Sequence, residues 1–330
     1  MIQVIDFNDL FIGCGRQSAV TIGNFDGCHM GHQRLTSATV ELAQKLNLAT
    51  AAITFNPRPE AFFRHLTHEP LLFTEAQKSR ALGELGIEYQ VIQSFDAAFS
   101  KVTHSEFYEN QIRQNLKAGA LVVGDDFHFG FQRLGDIEYL RSRAKVDGLK
   151  LEVGSAVRCS EQRVSSTRIR ETLRISGDVS NAALMLGRPY LLEGDIEKGD
   201  QIGRKLGFPT ANLGSVGQLT PKRGVYAGYV WLCRDNQPLD LPPVTKLSPA
   251  SIPAIFNIGI RPSLGQEHPP TRIEAHLLTG EYAPDSLYGL HAGYYFTHRL
   301  RDELTFPDLD QLKSQIRSDV DEARHLLGIR

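Results

Sequence analysis

The stretch that most constrains the fold is Val20–Leu35, V-T-I-G-N-F-D-G-C-H-M-G-H-Q-R-L. The apolar run Ala19–Ile22 has the length and composition of a buried strand. Gly23, Gly27 and Gly31 then punctuate a tight turn. Past His32 the period changes. Leu35, Ala38, Leu42 and Leu46 recur at helical spacing, which predicts a helix. His29 and His32 thus sit where a strand ends and a helix begins. Unpaired N–H groups and the helix dipole make such a junction attractive to a phosphate. Gly31 lets the backbone approach an anion with no Cβ in the way. Imidazoles can donate to phosphate oxygens and stabilise charge that grows as a leaving group departs. Two other readings stand beside this one. His29 and His32 could bind zinc with Cys28 or Cys14, although no paired CxxC or second His pair completes such a site. The segment could also be a purely structural strand–turn–helix.

A chain of 330 residues is long enough for two domains. A formal net charge of −2 with 22% charged residues describes an ordinary globular protein and not a polyanion-coating one. No basic run or aromatic–basic interleaving points to a nucleic-acid partner. The 4 cysteines, Cys14, Cys28, Cys159 and Cys233, show no pairing pattern, which suggests a reducing compartment. Met1–Leu10 has acids and no apolar core of leader length, and no apolar stretch of about 20 residues occurs. The expectation is a cytoplasmic protein without a membrane partner. Oligomeric state is not legible.

Strands and helices alternate through the first half. Leu48–Phe55 reads as a second strand, ended by Asn56-Pro57-Arg58-Pro59. Ala76–Leu85 reads as a helix and Ile87–Phe95 as a third strand. Thr103 and Glu106 form a capping box before a helix over Ser105–Lys117. Ala120–Val123 is a fourth strand, running into Gly124-Asp125-Asp126-Phe127-His128-Phe129-Gly130. A helix over Asp136–Val146 and a fifth strand over Leu151–Val157 follow. Strands that are apolar throughout predict a doubly wound parallel sheet in an α/β domain. Ligands in such sheets sit beyond the carboxyl ends of the strands. That rule gathers three segments: Gly23–His32, Phe55–Pro59 and Gly124–Gly130.

Ser165-Ser166-Thr167-Arg168-Ile169-Arg170 follows. Ser165 or Ser166 can cap a helix whose first turn offers N–H groups, the Thr167 hydroxyl and Arg168, and Arg suits bidentate phosphate recognition. An ordinary cap with a solvated arginine is the alternative. Two commoner nucleotide motifs are absent. Asp200 and Gln201 follow Gly194 and Gly199 where a P-loop needs Lys and Ser/Thr. Ser18 stands where a dinucleotide fingerprint begun at Gly13-Cys14-Gly15 needs glycine.

Composition shifts at Leu186-Gly187-Arg188-Pro189, which divides the chain into 1–185 and 186–330. Val225–Cys233, Ala254–Ile258, Ile273–Leu278 and Leu290–Phe296 read as strands of an antiparallel β-barrel. Asp235–Ser251 reads as a long hairpin loop. Leu309, Leu312, Ile316, Val320, Ala323 and Leu327 mark a terminal helix packed on the barrel. In Gly203-Arg204-Lys205-Leu206-Gly207-Phe208-Pro209-Thr210-Ala211-Asn212, a glycine-flanked basic loop can wrap phosphates with backbone N–H groups. Gly203, Lys205 and Gly207 are its candidate nucleotide-binding residues. Thr210 and Asn212, if extended, share a face and offer neutral oxygens to a magnesium–nucleotide. A proline-containing turn is the bland alternative. Alternation in Thr271–Leu278 puts Arg272, Glu274 and His276 on one face, with Glu274 either a catalytic or a solvated carboxylate.

Several motifs carry a family resemblance. H-x-G-H after N-F-D-G, with S-S-T-R-I-R later, is similar to the nucleotidyltransferase signature. G-R-K-L-G-F-P-T-A-N-L, R-G-V-Y at Arg223–Tyr226, N-I-G-I-R-P at Asn257–Pro262, E-A-H-L-L at Glu274–Leu278 and L-Y-G at Leu287–Gly289 occur in the order of a riboflavin kinase. The chain resembles the bacterial bifunctional riboflavin kinase/FAD synthetase family over nearly its whole length. The resemblance implies ATP-dependent phosphorylation of riboflavin to FMN, then adenylylation of FMN to FAD with release of pyrophosphate. It implies ATP, riboflavin and FMN as small-molecule substrates and Mg2+ as cofactor. Glu274 is then the general base, with Thr210 and Asn212 at the metal. His29 and His32 act on the phosphates, and Gly23, Phe25 and Gly31 in the same turn bind the nucleotide. Ser166, Thr167 and Arg168 hold the triphosphate, and Asn56, Pro57, Asp126 and Phe127 line the flavin pocket. The chain departs from the family pattern at Arg58, Cys28, Ser263 and Thr279-Gly280-Glu281. An enzyme with one surviving activity and a non-catalytic flavin-binding regulator are the rival readings. Intact P-T-A-N with Glu274 argues against the first, and two separate phosphate-handling sets argue against the second.

Overall fold

The computed structural model describes residues 2–7, 16–65, 70–199, 203, 207–214, 216–233, 241–260, 271–280, 282 and 285–329. Cys14, Lys205, Ser263, Glu281 and the first part of the long hairpin loop lie outside these residues. The chain packs as two compact units, Met1–Ser165 and Ser166–Arg330. The composition shift at Leu186–Pro189 falls later, after two helices.

The first unit contains β1 (Gln3–Asp6), β2 (Ser18–Ile22), α1 (Met30–Leu46), β3 (Ala49–Asn56), α2 (Pro59–Phe63), α3 (Glu75–Glu84) and β4 (Tyr89–Ser94). Next come α4 (His104–Glu106), which continues as a π-helical turn over Phe107–Asn115, β5 (Ala118–Gly124), α5 (Ile137–Asp147) and β6 (Lys150–Gly154). The hairpin β7 (Arg158–Cys159) and β8 (Gln162–Arg163) ends the unit. Six strands pair in parallel in the order β1-β4-β3-β2-β5-β6. The chain moves outward from β2 through β3 to β4, then returns to place β5 on the other side of β2. The reversal at β2 is where such a sheet opens a crevice for a ligand. Every residue of β2 is buried, as a strand covered on both faces requires. The sixth strand, β1, was not legible: it is a short edge strand with Val4 half exposed, so no apolar run announces it. The capping box is present, Glu106 N–H donating to Thr103 Oγ1 at 3.2 Å and Thr103 N–H to the Glu106 carboxylate at 2.9 Å.

The second unit opens with α6 (Ser166–Glu171), continued by a π turn over Thr172–Ser176, and α7 (Val179–Leu186). β9 (Tyr190–Glu197), β10 (Ala211–Leu213), β11 (Gly224–Leu232), β12 (Ile252–Ile260), β13 (Thr271–Leu277) and β14 (His291–Arg301) close an antiparallel barrel, and α8 (Leu309–Leu326) ends the chain. The barrel order is β10-β13-β12-β11-β14-β9. Two of its strands were not anticipated. β9 reads Y-L-L-E-G-D-I-E, with a central glycine and acids, and β10 is only 3 residues long. Phe256, Tyr226, Tyr294 and Phe296 fill the interior, with Phe256 and Phe296 centroids 4.7 Å apart. The long loop joins β11 to its antiparallel partner β12, and Tyr295 donates to Pro243 O at 2.9 Å within it.

The terminal helix packs as expected, with one correction. Val320, Ala323 and Leu327 rest on Val225, Ala227, Ile255 and Leu278, whereas Leu309 at the helix start is 61% exposed. Arg301 on β14 clamps Asp319 on α8, Nε to Oδ1 at 2.9 Å and a terminal nitrogen to Oδ2 at 2.6 Å. Asp319 is buried. Truncating one partner strands the other charge, which costs about 3–5 kcal/mol in buried pairs. Asp319→Ala is therefore expected to lower the urea midpoint of the second unit's unfolding. An unchanged midpoint would show that the clamp adds nothing.

Candidate active sites

The histidine turn is built by the end of β2 and the start of α1. His29 is the N-cap of α1, and its Nδ1 accepts from His32 N–H at 3.3 Å. That bond uses the Nδ1 lone pair, so in the neutral ring the proton sits on Nε2. The two imidazoles stack with centroids 3.7 Å apart and planes 12° apart. Phe25 lies against His32, ring centroids 5.0 Å apart. Burial, then His29 and Lys78, holds the His32 pKa well below the ordinary imidazole range. His32 is therefore neutral at pH 7. Its Nδ1 is buried with no hydrogen-bond partner among the described residues. A Cβ on Gly31 would stand 3.0 Å from the His29 ring, which would have to give by a few tenths of an ångström.

Behind this turn lies a network that sequence reasoning missed. The Asp26 carboxylate is fully buried and accepts Leu72 N–H and Phe73 N–H, each at 3.0 Å. Its other oxygen takes Arg58 at 3.3 Å. Burial raises the Asp26 pKa against the pull of Arg58 and the two amides. One carboxylate thus ties the turn after β2 to the segments after β3 and before α3. Arg58 stood out in the sequence only as a departure between two prolines. Its partner is remote in sequence, and no local pattern reveals it.

The other strand ends fall where the parallel-sheet rule predicts. Asn56 closes β3 and Pro57 follows it, while Asp126 and Phe127 follow β5. Since β3 and β5 both flank β2, these ends adjoin the histidine turn. Asp126 is exposed and pairs with Arg163 at 2.7 Å. Phe127 stacks on Phe129 at 5.3 Å. Ser166, Thr167 and Arg168 open α6 in the second compact unit, with Thr167 exposed.

A second cluster lies on the barrel. Glu274 on β13 stands opposite Asn212 on β10. Directly opposed residues share a face. Thr210 Oγ1 donates to Glu274 Oε2 at 3.4 Å, and Arg272 donates to Oε1 at 3.2 Å. Thr210, Asn212 and Glu274 are thus together, brought there by the register between β10 and β13. Burial raises the Tyr294 phenol pKa, and the Glu274 charge raises it further. Gly203 O accepts from Phe208 N–H at 2.8 Å, closing the loop that carries Gly207, whose φ of +90° suits glycine. His276 packs perpendicular to Phe208, ring centroids 5.5 Å apart, and hydrogen-bonds Pro209 O at 2.8 Å.

The donors here fit a hard cation. Asn212 Oδ1 is buried with no hydrogen-bond partner among the described residues, and Thr210 supplies a second neutral oxygen. Among the described residues no group of three His, Cys, Asp or Glu side chains is disposed to hold a metal. A cation would thus rest on few protein oxygens and depend on its substrate for the rest, as magnesium does with nucleotide phosphates.

Comparisons with known proteins follow the same division. The FAD synthetase family model matches residues 13–168, and the riboflavin kinase family model matches residues 186–327. The bifunctional riboflavin kinase/FMN adenylyltransferase of Escherichia coli K12 is 34% identical over 310 residues, 94% of this chain and 93% of that protein. The protein of the same name from Pseudomonas fluorescens is 34% identical over 314 residues, again 94% and 93%. A solved structure described as a macrolide-efflux protein from Streptococcus pneumoniae superposes with a TM-score of 0.82 at 27% identity, covering 98% of this chain and 99% of that one. Among the described residues no helix is long and apolar enough to cross a membrane. Matching models over both halves and relatives above 30% identity along nearly the whole length make this chain a member of the bifunctional riboflavin kinase/FMN adenylyltransferase family.

Proposed function

We propose that the chain makes FAD from riboflavin in two ATP-dependent steps, each served by its own set of phosphate-handling residues. The observation that carries this reading is the presence of both sets: the stacked histidines capping α1, and Glu274 with Thr210 and Asn212 on the barrel. The functional modules are residues 1–185 and 186–330.

In the kinase module the riboflavin ribityl hydroxyl attacks the γ-phosphorus of ATP, and ADP leaves. Glu274 takes the hydroxyl proton. Phosphoryl transfer needs mainly positioning and charge neutralisation. Thr210 and Asn212 would hold Mg2+, which neutralises phosphate charge when bound. Gly203, Lys205 and Gly207 wrap the nucleotide. In the adenylyltransferase module an FMN phosphate oxygen attacks the α-phosphorus of ATP, and pyrophosphate leaves. His29 and His32 donate to the charge that develops, in a turn whose Gly23, Phe25 and Gly31 bind the nucleotide. Ser166, Thr167 and Arg168 bind the triphosphate, while Asn56, Pro57, Asp126 and Phe127 bind the flavin. The cysteines are scattered along the sequence with no pairing pattern, which supports a cytoplasmic setting. Neither step calls for a nucleic-acid or membrane partner.

The test is to incubate the protein with riboflavin, ATP and Mg2+ and separate the flavins. FMN and FAD together are expected. One product alone would leave a single-activity enzyme, and neither product would leave a flavin-binding protein.

A further inference from the structure

We propose that Asn257 binds the polyol chain of the accepting flavin in the kinase module, an inference that rests on the kinase reading above. Asn257 on β12 stands directly opposite Glu274, which in turn stands opposite Asn212. One rung of the barrel therefore runs Asn212, Glu274, Asn257, all on one face. Opposed side chains in such a rung have Cβ atoms about 5 Å apart. The carboxylate is flanked by an amide on each side.

The two amides differ in what surrounds them. Asn212 is nine-tenths buried, its Oδ1 has no hydrogen-bond partner among the described residues, and Thr210 lies beside it on the approach to β10. That side suits a cation and phosphates. Asn257 is exposed, and its side chain makes no hydrogen bond with a described residue. Asparagine is a poor strand former, so its place mid-strand has no local rationale. Its Nδ2 lies 3.4 Å from the point where a Cβ on Gly259 would stand, and Glu303 Oε1 lies closer to that same point. The absence of a Cβ at Gly259 thus lets the Glu303 carboxylate and the Asn257 amide converge there, on the same face as the carboxylate of Glu274. Hydroxyl groups match this set, since they donate to carboxylates and accept from an amide. Attacking and leaving oxygens lie roughly in line in phosphoryl transfer. With the phosphates on the β10 side of Glu274, the accepting alcohol falls on the β12 side, against Asn257.

The experiment is steady-state riboflavin phosphorylation by full-length Asn257→Ala and Asn257→Ser, varying riboflavin and ATP separately. Loss of one hydrogen bond predicts a riboflavin KM raised about tenfold in the alanine variant. The serine variant regains part of it, because its hydroxyl can still bond. The ATP KM, kcat and FAD formation from FMN stay within about twofold of the parent, as loss of one ground-state contact implies. An unchanged riboflavin KM would overturn the proposal. So would a rise in the ATP KM instead, which would put Asn257 on the nucleotide, or a fall in kcat that tracks a lowered Tm, which would make it structural. A parent chain that makes no FMN would overturn the kinase reading itself, and this inference with it.

Discussion

Replacing His29 and His32 together with alanine is expected to abolish FAD formation from FMN while riboflavin phosphorylation continues at the parent rate. The effect follows from what the two rings hold. The His29 proton is directed to Nε2 by the bond that its Nδ1 accepts from His32 N–H. His32 is kept neutral by burial and by its neighbours His29 and Lys78. With His32 neutral, the stacked rings can both donate to phosphate oxygens without the mutual repulsion that two imidazolium rings would suffer. A preorganised donor at a developing charge is worth about 3 kcal/mol, or roughly a hundredfold to a thousandfold in rate. Losing two places FAD formation near the limit of detection. The kinase cluster shares none of these residues, so FMN formation reports an intact barrel, and an unchanged melting profile reports that the first unit is still folded. FAD made at the parent rate would remove the histidines from the chemistry.

Glu274→Gln is expected to have the complementary effect. Glutamine keeps the volume and can hydrogen-bond Thr210, but it cannot take the riboflavin hydroxyl proton. A positioned base contributes roughly 10²–10⁴-fold. FMN formation should fall by that order with riboflavin binding little changed, while added FMN is still converted to FAD. The substitution also removes the charge that Arg272 meets at 3.2 Å. Both groups are partly exposed, so this loss is small in stability. Measuring both half-reactions and the melting temperature on one preparation separates the outcomes. Unchanged phosphorylation would take Glu274 out of the mechanism, and collapse of both reactions would indicate misfolding.

The residues that were legible in sequence are those whose roles depend on short-range pattern. The strand–turn–helix at Val20–Leu35 announces itself by a change of period, and alternation alone puts Glu274 with Arg272 and His276. Thr210 and Asn212 could be placed on a common face, but that this face meets Glu274 is a matter of strand register between β10 and β13. Register is set by the whole barrel. The same limit hid Asn257, which is in a quoted motif yet gains meaning only from standing across from Glu274. The Asp26–Arg58 pair joins loops after different strands, and nothing near either residue names the other. β10 was missed because three residues carry too little periodicity, and β9 because its acids and glycine read as loop.

The stretch from Ser166 to Leu186 has a consequence for hybrid enzymes. Its helices are anchored within the second unit: Ser180 donates to Thr297 O on β14, and Leu173 O accepts from Lys222 N–H. Gly177 runs so close to Tyr226 and Arg299 that a Cβ there would collide with both. A crossover between two parental genes at 185/186 would separate the barrel from helices fitted to its own surface. A crossover at 165/166 would keep that fit, but would carry Ser166, Thr167 and Arg168 along with the foreign barrel. The breakpoint that preserves packing and the breakpoint that preserves the proposed triphosphate contacts are different, so drift in this segment is answerable to both halves of the chain.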